Sequence, residues 1–228
     1  MPVAQDQSPR RSITHLLVTA GPTHEPIDSV RFLGNRSSGR LGVSLADQAA
    51  QRGWDVTLLL GPVSILPTDS RVRLRRFRTA ADLQGLLREE MTRATILIMA
   101  AAVADYRPLD GASPGKIRRT ADNLRLELEP TPDLLAEVAQ SRTPGQFLVG
   151  FALEPRERMR ASAAEKLARK NVDMIVANPL ETMDSATIEA LVLQANGVEN
   201  FTQGAIDKTE FGSWLLTLIE QAAGKDAR

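Results

Sequence analysis

LLVTAGPTHEPIDSVRFLGNRSSGRLG (residues 16–42) opens with an apolar run, crosses a long polar loop and re-enters an apolar periodic segment. Residues 16–20 read as a buried strand and 41–52 as a helix. A strand, a polar glycine-containing loop and a helix start together form an anion site, because unpaired backbone N–H groups converge on whatever fills the loop. Ser37, Ser38 and Gly39 place two hydroxyl donors and a residue without Cβ where the helix begins, so a phosphate would be held there. Gly21 marks the strand exit on the other side of the loop. The loop is longer than a tight βα turn. It carries no G-x-G-x-x-G, and no GK[ST] of the P-loop type occurs in the chain. Long insertions at the carboxyl end of a first strand lie where open α/β sheets bind ligands; the alternative is a surface Ω-loop before a capped helix.

Working outward, apolar runs recur with helical segments between them. Strands are predicted over 15–20, 55–60, 72–77, 95–103, 146–152 and 172–177. Thr79 is expected to cap a helix reaching Arg93, with Asp82 as the capping-box acid. A charged helix is expected over 156–171, and a last one over 211–223. This alternation predicts an α/β fold, a doubly wound, mostly parallel Rossmann-like sheet. Two segments break the rhythm. Residues 116–129 alternate through Leu124, Leu126 and Leu128, and read as an antiparallel flap within 109–130. Residues 188–194 and 198–202 flank Asn196-Gly197 and read as a C-terminal hairpin over 187–203. The domain is expected to run from 13 to 228, after a frayed tail over 1–12.

Composition narrows the chemistry. The 228 residues carry no cysteine, which excludes disulfides, thiolate nucleophiles and cysteine-ligated metals within the chain. Net charge is zero, which argues against a general nucleic-acid binder. RVRLRRFR (71–78) is locally basic, but its alternation with Val72, Leu74 and Phe77 reads as a strand with one solvated face. No apolar run is long enough to span a bilayer, and the first residues lack the apolar core of a signal peptide, so a cytosolic protein is expected.

In such a sheet, the carboxyl ends of the first and fourth strands share a crevice. Ala100, Ala101 and Ala102 leave room there for a ligand to approach the backbone. Asp105 supplies a carboxylate for a cation or a hydroxyl, or else merely starts a turn. Lys116 at the flap entry is either solvated or aimed at a triphosphate, where it would stabilise the leaving pyrophosphate. Lys166 and Lys170 share a helix face. Phe151 is either core or a platform for a base.

In order, TAGPTHEPIDSVRFLGNRSSGRLG (19–42), AAVADYRP (101–108), GKIRR (115–119), TPDLLA (131–136), VGFALE (149–154) and EKLARKNVDMIVAN (165–178) resemble the phosphopantothenoylcysteine synthetases. These are ligases of coenzyme A biosynthesis, and the likeness covers nearly the whole chain after the tail. The resemblance implies that the carboxylate of 4′-phosphopantothenate attacks a nucleoside triphosphate, giving an acyl nucleotidylate and pyrophosphate. The amine of L-cysteine then displaces the nucleoside monophosphate. The sequence is similar to the bacterial type, which implies CTP, with ATP as the alternative. It also implies Mg²⁺ with Asp105 as its protein contact, and a homodimer formed through the hairpin.

Carried over by position, Asn35 handles the acyl intermediate and Lys116 supports its formation. Arg31, Asn35 and Ala102 contact the substrate. Gly21, Ser37, Ser38, Gly39, Met99, Ala100, Ala101, Asp105, Lys116, Pro132, Asp133, Leu134, Leu135, Phe151, Lys166 and Lys170 contact the nucleotide. The flavin-dependent decarboxylase domain that precedes most bacterial relatives is missing, implying a stand-alone synthetase and a decarboxylase on a separate chain. Thr131 stands where the family has Asn, Pro155 where it has Thr, and residues 183–187 replace a Ser-Asp-x-Asn segment. A Rossmann reductase or regulatory module would want an acid closing the second strand, and Leu60-Gly61-Pro62 stands there instead. A catalytically dead scaffold is disfavoured by retention of Asn35, Asp105 and Lys116.

Overall fold

The computed structural model describes residues 14–183 and 185–226; the tail expected over 1–12 lies outside them, as does Asp184 of the segment 183–187. Six strands run parallel: β1 (His15–Ala20), β2 (Asp55–Leu60), β3 (Arg73–Arg76), β4 (Ile96–Met99), β5 (Phe147–Glu154) and β6 (Met174–Pro179). Two antiparallel strands, β7 (Leu191–Gln194) and β8 (Glu199–Phe201), extend one side. The spatial order is β8-β7-β6-β5-β4-β1-β2-β3. Strand order therefore reverses between β1 and β4, and a crevice opens beyond their carboxyl ends.

Helices α1 (Arg40–Gln51), α2 (Ala80–Glu90), α3 (Leu134–Ser141), α4 (Met159–Lys170) and α5 (Lys208–Asp226) cover both faces. Leu16 and Val18 pack with Val43, Leu45 and Ala46 of α1 and with Phe211 and Leu215 of α5. The intervening Leu17 points the other way, into a cluster with Leu83 and Leu87 of α2, Leu134 and Leu135 of α3, and Ala163 of α4. Each fully buried leucine contributes about 1.5–3 kcal/mol. Burial on both faces explains why β1 and β4 read as continuous apolar runs.

The expected capping box of α2 is present: Asp82 N donates to Thr79 Oγ1 (3.1 Å) and Thr79 N to Asp82 Oδ2 (2.9 Å). Thr79→Ala is expected to cost about 1 kcal/mol, seen as a lower urea midpoint at unchanged slope. Thr79→Ser should retain wild-type stability, because its hydroxyl keeps the bond.

Four expectations need correction. The strand predicted over 95–103 stops at Met99, because residues 100–104 turn to pair with the loop after β1. Ala102 N donates to Gly21 O (2.9 Å), Thr23 N to Ala102 O (3.1 Å) and Ala104 N to Thr23 Oγ1 (2.9 Å). Of the flap, only Leu128–Pro130 is a strand, paired with Tyr106–Pro108, and Leu124, Leu126 and Leu128 are exposed rather than laid over the body. Ile188 leaves the hairpin to pair with Ile206 in a separate ribbon. The hairpin itself closes through Gln194 N to Val198 O (2.9 Å), so Ala195-Asn196-Gly197 is a three-residue loop with Gly197 at φ 84°. The helix predicted over 156–171 begins as a 3₁₀ turn (Arg156–Arg158) and ends on Asn171, left-handed at φ 51°.

Candidate active site

A cleft of about 810 Å³ lies over the carboxyl ends of β1 and β4. One wall is the loop 34–39 and the start of α1. Gly39 is the N-cap residue, with φ 72° and no side-chain cap, so the first turn of α1 offers its N–H groups toward the cleft. The capped helix of the Ω-loop alternative is thus without its side-chain cap, although Arg40 N lies 3.5 Å from Ser38 Oγ. Gly39 lacks the Cβ that would stand 3.1 Å from Val63.

The second wall is the strand exit 99–105. Asn35 Nδ2 donates to Val103 O (2.8 Å), which ties the two walls together and fixes the amide. Thr131 N donates to Asp105 O (2.9 Å) and Thr131 Oγ1 to Ala104 O (2.5 Å). The threonine that replaces the family's asparagine thus clamps the strand exit to the start of α3.

The third wall is α3, β5 and α4. Asp133 caps α3 by accepting from Ala136 N (3.2 Å), and also accepts from Lys170 Nζ (2.9 Å). Lys166 Nζ pairs with Glu154 Oε1 (2.5 Å). Burial pushes the Asp133 and Glu154 carboxyls up, but Lys170 with the Ala136 N–H at Asp133, and Lys166 with the Ser162 hydroxyl at Glu154, hold both below the usual carboxylate range. Phe151, half-buried on β5, faces the same space.

The structure brings Asn35, Ser37, Ser38, Gly39, Met99, Ala100, Ala101, Ala102, Asp105, Pro132, Asp133, Leu134, Leu135, Phe151, Lys166 and Lys170 to one cleft. Gly21, Arg31 and Lys116 do not line it. Gly21, at φ 81°, packs against the backbone of Gly61 as part of the turn out of β1. Arg31 is held by Asp28 (2.6 Å) and donates to Ile117 O (2.6 Å). Sequence reading missed Arg36, Arg40, Arg169, Asn178, Thr182 and Lys208, all of which line the cleft. Arg36 and Arg40 lie inside the quoted motif and were legible; Lys208 carried no local signal, since only the fold brings the start of α5 here.

The charge is one-sided. Arg36, Arg40, Lys166, Arg169, Lys170 and Lys208 line the cleft against Asp105 and Asp133, with Glu154 behind Lys166. With the α1 N-terminus, this favours a polyanion. Among the described residues no group of three or more His, Cys, Asp or Glu is disposed to hold a metal. A single exposed carboxylate, Asp105, still fits Mg²⁺, which commonly binds through one or two carboxylates plus substrate phosphates. No helix among the described residues is long and apolar enough to cross a membrane.

Residues 12–222 match the family described as the DNA/pantothenate metabolism flavoprotein C-terminal domain. A protein named cysteine/cysteine sulfinic acid decarboxylase, of an unknown prokaryotic organism, is 45% identical over 166 residues, 73% of this chain and 46% of that protein. The coenzyme A biosynthesis bifunctional protein CoaBC of Vibrio cholerae is 44% identical over 165 residues, 72% of this chain and 41% of that protein. The crystal structure of the C-terminal domain of a coenzyme A biosynthesis bifunctional protein CoaBC aligns with a TM-score of 0.78 at 31% identity, covering 91% of this chain and 94% of that one. The chain spans less than half the length of both curated relatives.

Proposed function

The chain belongs to the family of the DNA/pantothenate metabolism flavoprotein C-terminal domain, and from that premise we propose that it is a phosphopantothenate–cysteine ligase of coenzyme A biosynthesis. The observation that carries the proposal is the joining, in one cationic cleft at the sheet's switch point, of an uncapped helix N-terminus, the fixed amide of Asn35 and the paired lysines of α4. The decarboxylase activity in the name of one relative is said of that protein and is not carried over.

In the proposed reaction the carboxylate of 4′-phosphopantothenate attacks the α-phosphorus of CTP. Its P–O bond to pyrophosphate breaks, leaving an acyl-cytidylate. The amine of L-cysteine then attacks the acyl carbon, and CMP leaves with the electron pair of the broken C–O bond. Arg36, Arg40 and the α1 N-terminus would hold phosphate groups by charge-assisted bonds. Lys166 and Lys170 would turn from their carboxylate partners to the nucleotide, and Phe151 with residues 132–135 would border the base. Asp105 would hold Mg²⁺, which supplies charge neutralisation on the phosphates. Lys116 would turn its side chain toward the leaving pyrophosphate, and Arg31 would meet the phosphopantothenate from its place on Asp28. CTP is preferred over ATP on the bacterial character of the motifs.

A homodimer is part of the proposal. Its support is the unpaired outer edge of β8, beside which Val198 and Phe201 are exposed.

The deciding experiment supplies 4′-phosphopantothenate, Mg²⁺ and CTP or ATP, with and without cysteine, and measures pyrophosphate, nucleoside monophosphate and thiol product. Product with CTP is expected; no substrate-dependent pyrophosphate with either nucleotide would sink the ligase reading. Lys170→Met is expected to raise the nucleotide KM about tenfold with kcat nearly unchanged, the worth of one charge-assisted hydrogen bond. An unchanged KM would remove Lys170 from the nucleotide site.

A further inference from the structure

The segment that carries Lys116 is docked rather than free. Ser113 N donates to Ile27 O (2.9 Å), Ser29 N to Gly115 O (3.0 Å) and Ile117 N to Asp28 Oδ2 (3.0 Å). Arg31 Nη2 completes the contact by donating to Ile117 O (2.6 Å). Residues 113–117 therefore lie along residues 27–31, the loop that continues directly into the cleft wall at Gly34 and Asn35.

Asp28 is the centre of this contact. Its side chain is 0% exposed, while the neighbouring Ser29, Val30 and Arg31 are exposed. Oδ1 accepts from Val30 N (2.8 Å) and Arg31 N (2.7 Å). Oδ2 accepts from Arg31 Nε (3.0 Å), Arg31 Nη2 (2.6 Å) and Ile117 N (3.0 Å). Burial pushes this carboxyl up, but the backbone N–H groups of Arg31, Val30 and Ile117, with the guanidinium, hold it well below the usual carboxylate range. The two oxygens have separate tasks. Oδ1 shapes its own loop as an Asx turn; Oδ2 ties that loop to the flap and orients Arg31.

We infer that Asp28 is a positioning residue: it latches the flap stem to the loop after β1, so that Lys116 and Arg31 are presented together from one fixed platform. The latch stands on the geometry alone; its effect on turnover rests on the ligase reading proposed above. Lys116 then reaches the leaving pyrophosphate by rotating its side chain on a docked stem, and the order of the stem sets how often it is in place.

Asp28→Asn isolates the latch. It keeps an acceptor at Oδ1 but replaces Oδ2 by an amide nitrogen that cannot accept from Ile117 or Arg31. Gly115→Val acts from the flap side. Gly115 has φ 70° and nothing within 4 Å of an added Cβ, so the change strains the backbone without crowding the core. Trypsin is expected to cut after Lys116, Arg118 and Arg119 about fivefold faster in either variant, since local opening governs cleavage. CTP-dependent pyrophosphate release should fall about tenfold in kcat, as for a misplaced catalytic group, while the KM for CTP moves by less than about threefold.

Should Asp28→Asn fail to fold, Gly115→Val carries the test, because its site lies outside the core. Wild-type cleavage rates in both would overturn the latch. Faster cleavage with wild-type turnover would overturn the positioning role. If the unsubstituted protein releases no substrate-dependent pyrophosphate, the ligase reading has failed, and the cleavage rates still decide the latch.

Discussion

Asn35→Ala is expected to release about one equivalent of pyrophosphate per active site and then nearly stop, forming thiol product about 10²–10³-fold more slowly than the unsubstituted protein, the loss typical of one oxyanion donor. The expectation follows from where the amide sits. Asn35 is exposed in the cleft wall, and one N–H of its amide is spent on Val103 O at 2.8 Å. That bond orients the group without consuming its second N–H. When cysteine attacks the acyl carbon, negative charge develops on the former carbonyl oxygen, and a donor already aimed at it needs no reorganisation. The first step develops its charge on phosphate oxygens instead, where the cationic side chains act, so it should survive the substitution.

Asn35→Asp sharpens the test. It keeps the shape but replaces two donors with an acceptor, which would face both Val103 O and the developing oxyanion. Its second step should be slower than that of Asn35→Ala. Quenched-flow separation of acyl-cytidylate, CMP and product would show the intermediate accumulating. Steady turnover within about threefold of wild type in both variants would remove Asn35 from the chemistry, because a lost oxyanion donor costs far more than that.

The sequence made the sheet legible wherever burial was two-sided. β1 and β2 read with their observed bounds, and β6 two residues early, because both faces are covered and their buried runs are almost wholly apolar. The capping box of α2 was legible because its signal is local. Failures arose where the deciding contact was distant. Ala100 and Ala101 look like strand, yet the ladder ends with Ala100 N to Thr19 O (3.2 Å), and Ala101 N is taken by the side chain of Thr19 (Oγ1, 3.1 Å). The alternation of Leu124, Leu126 and Leu128 specifies a strand only if something covers one face, and these leucines are exposed. Helix α3 escaped notice because its apolar residues Leu134, Leu135, Val138 and Ala139 span barely two turns.

The site followed the same division. Residues 35–39 and 99–105 were legible because β1 and β4 announce where their exits meet. Arg31 and Lys116 were placed with the ligand by motif; the structure holds Arg31 on Asp28, and Asp28 also takes the N–H of Ile117, the residue after Lys116, a role that no spacing rule signals. That a short acidic side chain would be buried under an exposed loop is visible only once residues 113–117 are seen to fold back.

Gly42→Ala is expected to destabilise the protein by about 2 kcal/mol, as overpacking of a close contact does, whereas Gly85→Ala is expected to stabilise it by about 0.5–1 kcal/mol. The chemical change is identical and both glycines are helical, so propensity alone would make both favourable. Packing decides the sign. A Cβ on Gly42 would stand 2.5 Å from Ala20 Cβ and 3.3 Å from both Ala20 Cα and Thr19 O, all at the buried end of β1. The first is about 1 Å or more inside the usual carbon contact of about 3.5–4.0 Å, and neither a methyl group nor a backbone carbonyl can rotate away. The first turn of α1 must retreat from the sheet. A Cβ on Gly85 meets nothing within 4 Å. Because the retreating turn carries Gly39 and Arg40 of the cleft wall, Gly42→Ala should also lower kcat/KM by at least about tenfold, as a displacement of order 1 Å can, while Gly85→Ala leaves it unchanged. Urea unfolding at matched slopes, together with the pyrophosphate assay, reads both effects. Equal stability of the two variants would show that α1 does not ride on Ala20 this closely, and would detach the shape of the anion site from the packing of the helix beneath it.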